Sequence, residues 1–167
     1  MVGLTQVKFL LIDDNVHMLN IVETTLRGFG ARKIVRAATA EVALDYLRGG
    51  IDIIITDYMI DGMDVLSFTR KIRRAPGTHD RFVPIILLTS HSSRSRIEAA
   101  RDAGVTEICA KPVTPKDLFR KLVAVIDFQR PFIQAPNYVG PDRRRRIDAA
   151  YDGPERRGVP AVDSDAA

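Results

Sequence analysis

Three carboxylates stand where apolar runs stop. Phe9-Leu10-Leu11-Ile12 ends at Asp13-Asp14, and Ile51-Asp52-Ile53-Ile54-Ile55-Thr56 ends at Asp57. Runs this apolar read as parallel strands covered on both faces, and α/β sheets build their sites at the carboxyl ends of such strands. Converging carboxylates raise one another's pKa unless a cation joins them. A hard divalent ion with oxygen ligands, Mg2+ foremost, meets that need. Two further runs end in polar residues, Ile85-Ile86-Leu87-Leu88 in Thr89-Ser90 and Ile108-Cys109-Ala110 in Lys111-Pro112. Carboxylates, a hydroxyl and an ammonium group at four strand ends make a phosphoryl-transfer site. Asp57 is the expected nucleophile, giving an acyl phosphate. The cation and Lys111 would offset charge on the phosphoryl oxygens.

The elements that must hold these residues are legible between them. Strand and helix patterns alternate five times, which predicts an α/β fold with a doubly wound, five-stranded parallel sheet. Asn15 is placed to cap a helix carrying Met18, Leu19, Val22 and Leu26. Lys33 to Ala37 reads as a strand, and Thr39 as the cap of a helix running to Gly49-Gly50. A loop from Tyr58 to Met63 leads to a helix through Val65, Leu66, Phe68 and Ile72, broken by Pro76-Gly77. Ser93 to Ala103 reads as a polar helix ended by Gly104. Thr114-Pro115 opens the last helix, whose pattern should stop near Gln129.

At these residues the chain resembles the receiver domain of bacterial response regulators, the single-domain CheY-like type, with the flavodoxin-like fold. The resemblance covers residues 5–129. It implies that Asp13, Asp14, Asp57 and the Met59 backbone carbonyl hold Mg2+, with Asp57 the phosphoacceptor. It implies that Thr89 contacts the phosphoryl group and switches on its arrival, that Lys111 pairs with Asp57 or its phosphate, and that Lys111-Pro112 is a cis peptide. Such a domain catalyses only its own phosphorylation and dephosphorylation, with a histidine kinase as partner. One position departs from the pattern: three residues before the lysine, where many receivers carry an aromatic switch, this chain has Ile108.

Composition bounds the rest. The 167 residues fit one domain plus an appendage, the net charge is +4, and the single cysteine excludes an internal disulfide, which suits a cytoplasmic protein. No apolar run reaches the roughly 18 residues of a membrane span, and the first one breaks at Asp13-Asp14, too early for a signal peptide. Nothing in the chain reads as a DNA-binding domain.

From residue 130 onward there are seven arginines, no lysine, six acids and five prolines. Residues 130–167 are expected to be a flexible or docked arginine-rich tail rather than a second domain. The tail contains a repeat: Tyr138-Val139-Gly140-Pro141-Asp142-Arg143-Arg144 returns as Tyr151-Asp152-Gly153-Pro154-Glu155-Arg156-Arg157, thirteen positions on. Between the copies sits Arg145-Arg146-Ile147-Asp148. Guanine offers O6 and N7 to an arginine, its N1–H and N2–H to a carboxylate, and its phosphates to further guanidinium groups. A ligand with two guanines and two phosphates, cyclic di-GMP, would use both residue types. The Gly-Pro-Asp-Arg-Arg extension behind this domain resembles the Cle-type regulators, which implies cyclic di-GMP binding through the extension and action at the flagellar motor switch. The residues expected to bind are Arg143, Arg144, Arg145, Arg146, Asp148, Arg156 and Arg157. Tyr138 and Tyr151 are placed either to stack on bases or to pack the tail against the receiver. The competing reading is a phosphorylation-controlled single-domain regulator whose tail is incidental or binds polyanions.

Overall fold

The computed structural model describes residues 3–61, 63–75, 79–90, 93–143 and 161–162. In chain order the first part runs β1 (Lys8–Ile12), α1 (Val16–Gly28), β2 (Lys33–Ala37), α2 (Ala40–Leu47), β3 (Ile53–Asp57) and a small ribbon of β4 (Met59–Ile60) and β5 (Met63–Asp64). It continues with α3 (Val65–Arg73), a 3-10 turn at His79–Phe82, β6 (Ile85–Thr89), α4 (Arg94–Ala103), β7 (Glu107–Ala110) and α5 (Pro115–Ile126). The main sheet is parallel, with order β2-β1-β3-β6-β7, the flavodoxin-like arrangement the alternating pattern predicts.

Strand alternation splits the core into two layers. Phe9, Leu11, Ile53, Ile55, Ile86 and Leu88 pack on one face against Leu19, Val22 and Leu26 of α1 and Leu118, Leu122 and Val125 of α5. Leu10, Ile12, Ile54 and Ile85 pack on the other against Ala43 and Leu47 of α2 and Phe68 and Ile72 of α3. Leu87 meets Ala100 of α4 in a smaller cluster with Val65 and Val105. Burial of each such Leu or Ile is worth about 1.5–3 kcal/mol. The layers fix the register, and the register aligns the functional ends: Ile12 lies opposite Thr56, Asp57 opposite Leu88, and Thr89 opposite Ala110.

Helix starts follow the expected caps. The Asn15 side chain accepts from the His17 and Met18 amides, Thr39 from Val42, and Thr114 from Asp117, with Pro115 at the first helical position. Asp64, not singled out in the sequence, caps α3 by accepting from the Ser67 amide at 2.9 Å. The last helix ends at Ile126, three residues before the expected stop.

The first third of the tail is ordered, where a flexible segment was one of two expectations. β8 (Phe132–Ala135) and β9 (Tyr138–Pro141) form an antiparallel hairpin, and β10 (Ala161–Val162) pairs with the other side of β8. The hairpin docks under the amino ends of β6 and β7. Phe132 and Ile133 are buried there, and the Phe132 ring meets Phe82 edge-on at 5.1 Å. Two glycines permit the approach. A Cβ on Gly104, whose φ is +101°, would lie 2.8 Å from the Val139 carbonyl oxygen, and one on Gly140 would lie 2.8 Å from the Gly104 Cα. Both are closer than a methyl group tolerates.

The Asp64 cap carries a pH dependence. The Ser67 amide hydrogen bond holds its carboxyl below the ordinary carboxylate value, outweighing desolvation. A lowered folded-state pKa gives stability that is present above the unfolded value of about 3.9 and lost as pH falls through the folded one. Asp64→Ala should therefore cost about 1 kcal/mol at pH 7, and the difference from the parent chain should shrink below about pH 4. Denaturant unfolding at pH 7 and pH 3 measures both.

Candidate functional site

The carboxyl ends of β1, β3, β6 and β7 meet around one ammonium group. Lys111 Nζ lies 2.7 Å from Asp57 Oδ1 and 3.7 Å from Asp13 Oδ2. Its amide donates to the Thr89 carbonyl at 2.8 Å, so the end of β6 places the base of the lysine, and Lys111-Pro112 is cis. Asp13 is buried, accepts from the Asn15 amide at 2.8 Å, and faces the Asp57 and Asp14 carboxylates. Desolvation and those neighbours push its carboxyl up, against the pull of the Asn15 amide and Lys111. Asp14 is exposed beside it, and Asp57 is half-buried. Thr89 is buried at the next strand end.

One ammonium stands against three carboxylates. That donor set, all hard oxygens with a buried member raised by its neighbours, fits a divalent hard cation. Among the described residues no three His, Cys, Asp or Glu side chains are already gathered as an ion-holding cluster, because Lys111 holds Asp13 and Asp57 to itself.

Comparison with known proteins gives the family. Residues 9–123 match the response regulator receiver domain. The chain belongs to the response regulator receiver family. The receiver is 31% identical over 123 residues to chemotaxis protein CheY1 of Helicobacter pylori, covering 71% of this chain and 96% of that one. Against the CheY homologue of Campylobacter jejuni the identity is 31% over 121 residues, covering 71% and 92%. Among solved structures, chemotaxis response regulator CheY4 of Vibrio cholerae superposes with a TM-score of 0.66 at 27% identity, covering 72% of this chain and 98% of that one. In each case the likeness accounts for the receiver and leaves the C-terminal extension over. No helix among the described residues is long and apolar enough to cross a membrane.

At the departing position, Ile108 is half-buried beside Tyr58, the residue after Asp57. Tyr58, Thr89, Ile108 and Arg96 line one nearly filled gap, and the Arg96 guanidinium lies 5.3 Å from the Tyr58 ring centroid. The aromatic ring beside Thr89 and Ile108 thus comes from the residue following β3 rather than from β7. The run of apolar strand residues hid it, since Tyr58 reads there as loop.

In the tail, Tyr138 takes the packing role. Its hydroxyl donates to the Pro141 carbonyl, and burial pushes the phenol up to about 12, against the pull of Arg143 and Arg73. The Arg143 guanidinium covers the ring at 4.7 Å and pairs with Asp102 of α4. That pair is half exposed on both sides and worth under about 1 kcal/mol. Arg144, Arg145, Arg146, Asp148, Tyr151, Arg156 and Arg157 lie outside the described residues. Sequence reasoning missed Arg130, which donates to the Thr106 and Asp142 carbonyls and reaches Glu107 at 3.5 Å. It also missed Arg73, fully buried at the end of α3.

The shared ammonium yields a prediction. Lys111→Ala removes the one cation that competes for Asp13 and Asp57, so Mg2+ affinity should rise about fivefold or more, a gain of about 1 kcal/mol. Calorimetric titration of Mg2+ into both proteins reads it, and unchanged affinity would mean that Lys111 does not screen these carboxylates.

Proposed function

We propose that this CheY-like signalling protein binds cyclic di-GMP through its arginine-rich tail and then engages a partner, the flagellar motor switch. Its receiver pocket keeps the parts for phosphorylation on Asp57. The observation that carries the pocket is the Lys111 ammonium lying between Asp57 and Asp13 at four converging strand ends. Asp57 attacks phosphorus, the bond to the donor's leaving group breaks, and an acyl phosphate forms on Oδ. Lys111 passes from the Asp57 carboxylate to a phosphoryl oxygen, and the Thr89 hydroxyl donates to another. Asp13, Asp14, Asp57 and the Met59 carbonyl would hold Mg2+, the ion receiver domains typically use, which supplies positive charge for the phosphoryl oxygens.

The tail reading is supported by the repeat, by Arg145-Arg146-Ile147-Asp148 between its copies, and by the docked hairpin. The hairpin brings Arg143, the first residue of the arginine run, to α4, where it meets Asp102, so a ligand gathered by the run would act near the receiver's surface. Ligand that orders more of the tail against α4 creates a new face for a partner, and its charge-assisted contacts offset the ordering entropy.

Calorimetric titration of cyclic di-GMP separates the two inputs. Arg145→Ala or Asp148→Ala should weaken binding at least tenfold, while Asp57→Asn leaves it within twofold. The adenine analogue should bind poorly. Equal loss from Asp57→Asn would mean that the ligand sits elsewhere or that phosphorylation gates its binding. Comparable affinity for the adenine analogue would reduce the tail to a polyanion binder.

A further inference from the structure

Between the end of α3, the turn at His79–Phe82 and the docked hairpin lies an open cleft of about 540 Å³, lined by Arg73, Arg74, Arg81, Gln134, Ala135, Pro136 and Val139. Three of those residues are arginines and none is acidic. Arg73 is 1% exposed. Its Nε donates to the Gly104 carbonyl and its Nη1 to the carbonyls of Arg81 and Val83. Carbonyl oxygens satisfy its hydrogens without cancelling its charge. Burial lowers its pKa to about 9, so it remains positive at neutral pH.

Arg81 is oriented by a 2.9 Å hydrogen bond from Nη2 to the Gln134 amide oxygen and by the Phe82 ring, 5.2 Å away. Its Nε is buried with no hydrogen-bond partner among the described residues, which is costly for a buried donor. The Arg74 guanidinium has no partner among the described residues and is exposed. Basic residues at a helix C-terminus are ordinarily explained by the helix dipole. That suffices for Arg70 and Lys71, which are exposed. It does not explain a buried guanidinium with only carbonyl and hydroxyl partners and two further arginines lining one cleft.

We propose that this cleft is a binding site for a small phosphoryl-bearing anion, held by Arg74 and Arg81 over the positive charge of Arg73. Guanidinium groups pair with phosphate oxygens in two-toothed fashion, and Arg74 and Arg81 both line the cleft. Since Gln134 to Pro136 and Val139 belong to the hairpin, the site exists only while the hairpin is docked, and occupancy tightens the docking. The inference does not rest on the proposed cyclic di-GMP reading, which places the ligand on residues 143–157.

The probe is pyrophosphate, titrated calorimetrically into the full chain at low ionic strength with a chelator present. The double variant R74Q/R81Q should lose at least tenfold in affinity, and the charge-matched control R32Q/R48Q should stay within twofold. Gln134→Glu places a carboxylate in the cleft at nearly constant volume and should abolish binding. Competition by cyclic di-GMP would make its phosphodiester the natural occupant; its absence would point to a free phosphorylated metabolite. No binding by the parent chain at millimolar pyrophosphate, equal loss in both double variants, or full affinity in Gln134→Glu overturns the proposal.

Discussion

A buried positive charge with no buried negative partner organises the lower half of this molecule. Arg73 leaves the end of α3 and binds carbonyls of the α4 terminus and of the segment entering β6, and its guanidinium faces the Phe132 ring at 5.0 Å. Taking a guanidinium out of water is costly unless its hydrogens are met, so these loops are tied to one geometry. The hairpin completes the enclosure: Phe132 covers the cation, and Gly104 and Gly140 let the two backbones meet. Arg130 fastens the base of the hairpin from its other side, joining Asp142 to Thr106 and Glu107. Residues 130–143 are thereby packed on the receiver.

The receiver pocket lies at the opposite end of the same strands. There the imbalance has the other sign, with Asp13, Asp14 and Asp57 around Lys111. The β6 and β7 strands connect the two ends. Thr89 and Lys111 terminate them above, and Val83 and Thr106, which meet Arg73, precede them below. α4 adjoins both regions, through Arg96 against Tyr58 near the pocket and Asp102 against Arg143 at the hairpin. One sheet and one shared helix thus join the two regions.

Most of the receiver could be read in the chain because its signals are redundant. The central strands β1, β3 and β6 carry apolar runs, each helix but α4 starts at a side-chain cap, and Asp13, Asp57, Thr89 and Lys111 fall at strand ends where sheet topology must gather them. The hairpin was harder. Its prolines read as breakers, yet Pro131 precedes β8, Pro136 sits in the turn, and Pro141 lies on an edge strand, all places where proline is tolerated. Phe132-Ile133 is too short to show a period. Arg73 was illegible because a charged residue in the last turn of a helix reads as solvated. Tyr138 left two roles open; its hydroxyl bond to Pro141 and the Arg143 cover tie it to its own hairpin, contacts the sequence pattern does not show.

The central claim is that residues 130–143 are a docked part of the receiver through which a ligand on the following arginines acts. Amide hydrogen exchange of the full chain, with and without cyclic di-GMP, tests it directly. The account predicts protected amides at Ile133, Tyr138 and Gly140 in the free protein, the hydrogen-bonded positions of the β8–β9 ladder, with ligand-dependent changes in the hairpin and α4 that persist in Asp57→Asn. Exchange at unfolded rates across 132–141, or a ligand response that bypasses α4 and the hairpin, would contradict it.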